Sequence, residues 1–287
     1  MSNIVLGTAT QQNLLALQNI NGQLSTTQNA LSTGLKVSSA VDDAVKYFES
    51  QSLDNRANDL STRKDAIDQG VSSLTTATQG ISSAIAVLQQ MQGIVQSAKT
   101  ETAKQQASAA TQLASLAAQF NQLLNDSSYQ GLNLLNSTKG TLTLQFSQST
   151  ASTLKVTGQN LLVSVAVTGG HLASKLVSGL AGITFSTAVT AGKTSAFDIV
   201  YSALGNSVTT LQAASASLGS NVSFLQTRLS FTEQYITTLQ GGANKLTVAD
   251  VNTESTNLVT LQTRQQLAIQ SLSIATQSEQ SVLRLFH

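Results

Sequence analysis

Cysteine, proline and tryptophan are missing from the chain altogether, and each absence rules something out. Without cysteine there is no disulfide framework, no thiolate nucleophile and no zinc–sulfur site. Without proline no ring interrupts a helix. Aromatic residues make up only 4% and charged residues 10%, with a net charge of +1. A thick globular core draws on more aromatic volume than this, so the composition points to long, thin helices and an elongated architecture. Nucleic acid and acidic membrane surfaces need clustered Lys and Arg, which are absent, so neither is expected as a partner. No run of 18 apolar residues offers a membrane span, and the opening MSNIVLGTATQQ lacks the basic and apolar regions of a secretory signal. Export, if it occurs, is expected to proceed without that signal.

What is present is periodicity. Leu53, Leu60, Ile67, Leu74, Ile81, Leu88 and Val95 recur at every seventh position, describing one apolar seam about 60 Å long on a helix that rises 1.5 Å per residue. A seam of that length needs a matching partner. Near the other end a 3,4 alternation supplies one through Phe197, Tyr201, Leu204, Val208, Leu211, Ser215, Leu218, Val222, Leu225, Leu229, Thr232, Ile236 and Leu239. A shorter helix over about 101–125 carries Leu113, Leu116, Phe120 and Leu123 on its buried face, and the cluster NDSSYQGLNLL after it reads as a turn.

Outside these rods lie two terminal helices. The first carries Leu17, Ile20, Leu24, Thr27 and Leu31 and stops at Gly34; the last carries Val251, Leu258, Leu261, Ala268, Leu272, Ala275, Val282 and Phe286. Ser39 with Asp42, Ser195 with Asp198 and Thr247 with Asp250 fit capping boxes that would open three helices, and Gly241-Gly242 reads as the break ending the returning rod. Asp42 and Asp43 suit a helix start better than acid/base chemistry.

From Gly140 the period falls to two: Leu142, Leu144 and Phe146, then Leu154 and Val156, then Leu161, Val163, Val165 and Val167, then Ile183, Phe185 and Val189. Glycines punctuate these runs, so hairpins are predicted over about 140–193. His171 beside Gly169-Gly170 reads as a solvent-facing turn residue, and neither glycine pair has phosphate-loop spacing. With His171 and His287 the only histidines and no HExxH spacing, no catalytic, cofactor or metal site is expected. The fold class is therefore mainly α with a small β region: an antiparallel helical bundle or coiled coil with paired terminal helices and an outer hairpin. The expected division is 1–40 with 245–287, 41–139 with 194–244, and 140–193.

Each terminal helix is weak alone and can bury its stripe only against the other end or another copy. Different surfaces on different sides favour head-to-tail contact and an open helical polymer.

Three stretches carry a resemblance: ALSTGLKVSSAVDDA (30–44), LQQMQGIVQSA (88–98) and SSYQGLNLL (127–135). These resemble the N-terminal half of bacterial flagellin, and residues 249–286 resemble its terminal segment in order and spacing. The resemblance implies a subunit of the helical flagellar filament, extracellular and used for swimming, with Leu17, Ile20, Leu24, Leu31, Leu258, Leu261, Leu272, Val282 and Phe286 in the self-assembly core. It also implies type III export, an export chaperone on the C-terminal segment, and hook-junction and cap proteins as partners. Some flagellins are sensed by an animal innate receptor through arginines before VQSA; this chain has Gln89 and Met91 there, implying weak recognition. A hook–filament junction protein and a surface adhesin using the outer strands remain as alternatives.

Overall fold

The computed structural model describes residues 8–136, 140–147, 151–162, 166–168, 171–173 and 194–285. Five helices and two small hairpins are formed in the order α1 (Thr8–Thr33), α2 (Ala44–Ala98), α3 (Ala103–Asp126), β1 (Thr141–Gln145), β2 (Thr153–Thr157), β3 (Ala166–Thr168), β4 (His171–Ala173), α4 (Thr194–Thr247) and α5 (Val251–Leu285). The chain is mainly α with a small antiparallel β part, as its periodicities predict. It divides into two compact units, one of residues 1–58 with 237–287 and one of residues 59–236.

In the larger unit the seven-residue seam becomes a core. Ile67, Leu74, Ile81 and Val95 are fully buried, Leu60 and Leu88 nearly so, and Leu211 and Leu225 of α4 are fully buried against the same cluster, with Leu218 close behind. Antiparallel register between the two helices is fixed by side-chain pairs: Lys64 with Glu233 at 3.2 Å, and Lys99 with Asp198. Thr232 holds a seam position with a hydroxyl, which would be costly if unpaired. Its Oγ1 donates to the Arg228 carbonyl one turn back at 2.8 Å. The same device recurs at Thr76, Thr78, Thr210 and Ser207, among others, so hydroxyl-rich helices satisfy their own polar groups. Tyr201 departs from its predicted stripe. It is exposed with the Lys99 ammonium 5.4 Å from its ring centroid, and Val200 takes the buried place.

Helix α3 is opened by Thr102 and Gln105, whose side chains exchange hydrogen bonds with the helix start. It buries Leu113, Ala117, Phe120 and Leu124. The chain then reverses through Gln130 and Gly131, both at positive φ, flanked by the Tyr129–Leu132 bridge. Two glycines of α2 let this return pack closely. A Cβ on Gly70 would lie 2.4 Å from Leu144 Cδ1, and one on Gly80 would lie 2.7 Å from Ser127 Cβ. Strands β1 and β2 pair antiparallel with Leu142 opposite Val156 and Leu144 opposite Leu154, apolar side inward and Thr outward, as alternation requires. Strands β3 and β4 pair through Thr168 and His171.

Several expectations are corrected. His171 lies in strand β4 rather than in a turn. Leu161 is buried in an irregular segment, its amide donating to the Leu135 carbonyl, rather than in a strand. Val163, Val165, Ile183, Phe185 and Val189 fall outside the described residues. Helix α2 starts at Ala44, and Asp43 caps it through a 3.1 Å bond from the Lys46 amide. Ser39 does not cap it, because Asp42 folds back onto the preceding loop and accepts from the amides and hydroxyls of Ser38 and Ser39 at 2.9–3.1 Å. Ser195 and Asp198 lie inside α4, and Asp198 is engaged by Lys99. Asp250 caps α5 through the Asn252 and Thr253 amides, while Thr247 is the last residue of α4. Gly241-Gly242 does not break α4. Leu239 and Ala243 are buried on either side, and a Cβ added at Gly242 would meet Leu53 Cδ1 only at an ordinary contact distance of 3.4 Å. Packing there outweighs an intrinsic cost of about 1 kcal/mol per glycine.

Candidate assembly surfaces

The smaller unit places the sequence-predicted terminal residues. Helices α1 and α5 pack antiparallel, with Gln265 donating to Asn21 at 2.7 Å midway and the two joined at one end by a clasp. There Gly34, at φ +72, ends α1; Leu35 bridges Val248; the Lys36 and Val37 amides donate to the Thr247 carbonyl; and the Ala249 amide donates to the Gly34 carbonyl. The Lys36 ammonium donates to the Lys245 carbonyl at 2.8 Å, so a segment 209 residues away closes the carboxyl end of α4.

Along this pair the apolar stripe is only partly covered. Leu17, Ile20, Leu24 and Leu31 are half-buried, as are Leu258 and Leu272; Leu261 alone of the predicted set is buried, beside Thr27 and Ala30. Val282 lies in α5, but its side chain and Phe286 are outside the described residues. Further apolar side chains point away from the pair: Leu15 is 60% exposed, Leu267 60% and Ile274 62%. Leu53, the first seam position, is half-buried in this unit. A polar groove of about 510 Å³ runs beside the pair, lined by Gln23, Thr26, Lys36, Glu254, Asn257 and Arg264 among others.

Sequence reasoning missed Asn133. Buried in the larger unit, its amide nitrogen donates to the Leu124 and Asn125 carbonyls at 2.8 and 3.0 Å, and its oxygen accepts from the Leu135 amide at 2.8 Å. One side chain thereby closes the carboxyl end of α3 and fixes the reversal. The only signal in the sequence is an asparagine just past the tight QG turn.

Carboxylates here are structural. Asp42 is held below the usual carboxylate range, first by the Ser38 hydroxyl and amide and then by Ser39. Asp43 is lowered by Lys46, and Asp250 by the Thr253 and Asn252 amides. Lys64 is raised by hydrogen bonding and attraction to Glu233. Among the described residues no group of three His, Cys, Asp or Glu is placed to hold a metal, and no helix is long and apolar enough to cross a membrane.

Buried seams, self-satisfied hydroxyls and partly covered terminal stripes define a protein of long packed helices with apolar surface left uncovered on its terminal pair. The family model described as the bacterial flagellin N-terminal helical region matches residues 5–140, and that of the bacterial flagellin C-terminal helical region matches residues 201–286. A flagellin of Brucella melitensis is 30% identical over 305 residues, covering 100% of this chain and 99% of its own length. Flagellin FljK of Caulobacter vibrioides is 30% identical over 276 residues, 95% of each chain. Flagellin A of Rhizobium meliloti is 43% identical over 91 residues, 32% of this chain and 23% of its own. The chain belongs to the bacterial flagellin family.

Proposed function

We propose that this chain is the repeating structural subunit of a bacterial flagellar filament, outside the cell, built by head-to-tail addition of identical copies. Family membership over the whole chain supports this, and one observation carries it physically: the α1–α5 pair leaves its stripe half covered and large aliphatic side chains outward, a surface that a neighbour's identical helices would complete. The division of labour we infer gives 1–40 with 245–287 the filament core, 41–139 with 194–244 the body, and 140–193 the outer face. An export chaperone on the C-terminal segment and the hook-junction and cap proteins are proposed partners. Weak recognition by the innate receptor is proposed on Gln89, which is exposed. Met91 is buried in the core and presents nothing to a receptor, which corrects its place in that expectation.

Electron microscopy of the purified protein, salted out onto short filament seeds, tests the reading. Indefinite elongation is expected; a protein that stays monomeric, or that halts seeds after one layer as a junction protein would, overturns it.

A further inference from the structure

Two surfaces present outward apolar side chains around one ionised group that has no counter-ion among the described residues, and the two are of opposite sign. The first is on α4. Phe224, Arg228, Phe231 and Tyr235, spaced 4, 3 and 4, form a second stripe on a different face from the buried Leu211, Leu218 and Leu225. Phe224 and Phe231 are 49% and 53% exposed in a chain with only 4% aromatic residues. The Arg228 guanidinium carbon lies 5.1 Å from the Phe146 ring centroid and 5.2 Å from that of Phe231. Its Nη2 reaches only a 3.5 Å bond to Ser152 Oγ, its buried Nε has no acceptor, and no carboxylate pairs with it among the described residues. A guanidinium steadied between two rings with spare donors is preorganised for a carboxylate.

The second surface is the first two turns of α2. Val45 and Phe48 are 76% and 62% exposed, and Glu49 is exposed beside them with no ion-pair partner among the described residues. Lys46, the nearest cation in sequence, is already engaged by Asp43 at 2.8 Å.

We propose that these surfaces are the two halves of one contact between successive copies of this chain. The Glu49 carboxylate of one copy receives the free N–H groups of Arg228 on the next, and Val45 and Phe48 lie against Phe224 and Phe231. The occupant is a second copy because apolar character and charge match across the two patches, and because a contact between unlike surfaces can repeat from copy to copy. The inference rests on the filament reading and names the residues of its contact.

The test measures the critical monomer concentration for elongating wild-type seeds. Arg228→Glu and Glu49→Arg are each expected to raise it by ~10-fold or more, and the double reversal to return it to within about 3-fold of wild type. A single reversal that elongates like wild type overturns the pairing, as does a double variant no better than the singles. Wild-type protein that never elongates seeds instead overturns the filament reading beneath it. Should Arg228→Glu fail to show a wild-type melting curve, Glu49→Arg on its exposed site decides. Unimpaired elongation then overturns the pairing, and impairment partly relieved by Arg228→Gln supports it.

Discussion

At the scale of single residues, polar side chains among the described residues divide between bonding back along their own helix and closing helix ends. Asn133 is the clearest case, because three backbone groups depend on one amide, and the bonds to Leu124 and Leu135 are buried. Replacing it with alanine strands those groups, each costing roughly 1–3 kcal/mol when buried without a partner. Asn133→Ala is therefore expected to lower unfolding free energy by about 2–4 kcal/mol in urea titration, whereas a loss under about 0.5 kcal/mol would show that the reversal holds without it. Asp42 makes a different prediction because its effect depends on pH. Its pKa is lowered from the ordinary 3.8 by the Ser38 and Ser39 donors. The folded state therefore favours the ionised form, and the contribution is complete above the ordinary pKa and disappears as pH falls through the lowered one. Thermal melts of wild type and Asp42→Asn should differ at pH 7 and converge toward pH 3, and a gap that widens in acid would contradict the assignment.

At the scale of elements, α2 shows how a hydroxyl-rich stretch with glycines at 70, 80 and 93 still yields an unbroken 55-residue helix. Its glycines are of two kinds. At Gly80 an added methyl would meet the rigid Ser127 Cβ at 2.7 Å, while at Gly93 it would meet nothing within 4 Å. Gly80→Ala should therefore destabilise the fold despite better helix propensity, and Gly93→Ala should stabilise it by about 0.5–1 kcal/mol. Thermal melts of the pair check this directly, since stabilisation by both would show that the close approach at Gly80 costs nothing. The same element shows what was legible in the sequence. The seam from Leu60 to Val95 could be read because a seven-residue period survives any detail of the loops. The helix starts could not be placed to the residue. A hydroxyl residue three places before an aspartate reads alike whether the aspartate caps the next helix, as Asp250 does after Thr247, or folds back on a loop, as Asp42 does after Ser39. Gly241-Gly242 misled for a related reason: local cost predicts a break, whereas burial of Leu239 and Ala243 on either side keeps the helix continuous. The Phe224–Tyr235 stripe was hidden by the longer aliphatic alternation that shares its helix.

At the scale of the whole molecule, ionisable groups and unfinished apolar surface divide between two tasks. Asp42, Asp43 and Asp250 all have lowered pKa values; Asp43 and Asp250 cap the helices that follow the clasp formed by 34–37 and 247–249, and Asp42 ties the loop between the clasp and α2. Acid should therefore loosen the clasp before it reaches the aliphatic core around Ile81. Hydrogen exchange at pH 3 should show amides of 35–43 and 248–254 deprotected while those of 74–95 stay protected; simultaneous loss would refute this ordering. At neutral pH the terminal helices should exchange fast in the monomer and become protected in the polymer, and equal protection in both would contradict the assembly reading. The terminal stripes were legible from the sequence as apolar faces, but how far α1 and α5 cover each other was not, because half-burial depends on helix rotation that periodicity leaves open.

The clasp also orders events in time. Helix α1 is made before α2, α3 and α4, yet the helix it packs against is α5, which follows all of them. A growing polypeptide consequently cannot close its smaller unit until α5 has been made, and loop closure over such a separation is slow. That delay leaves α1 without its packing partner while the intervening helices are being made.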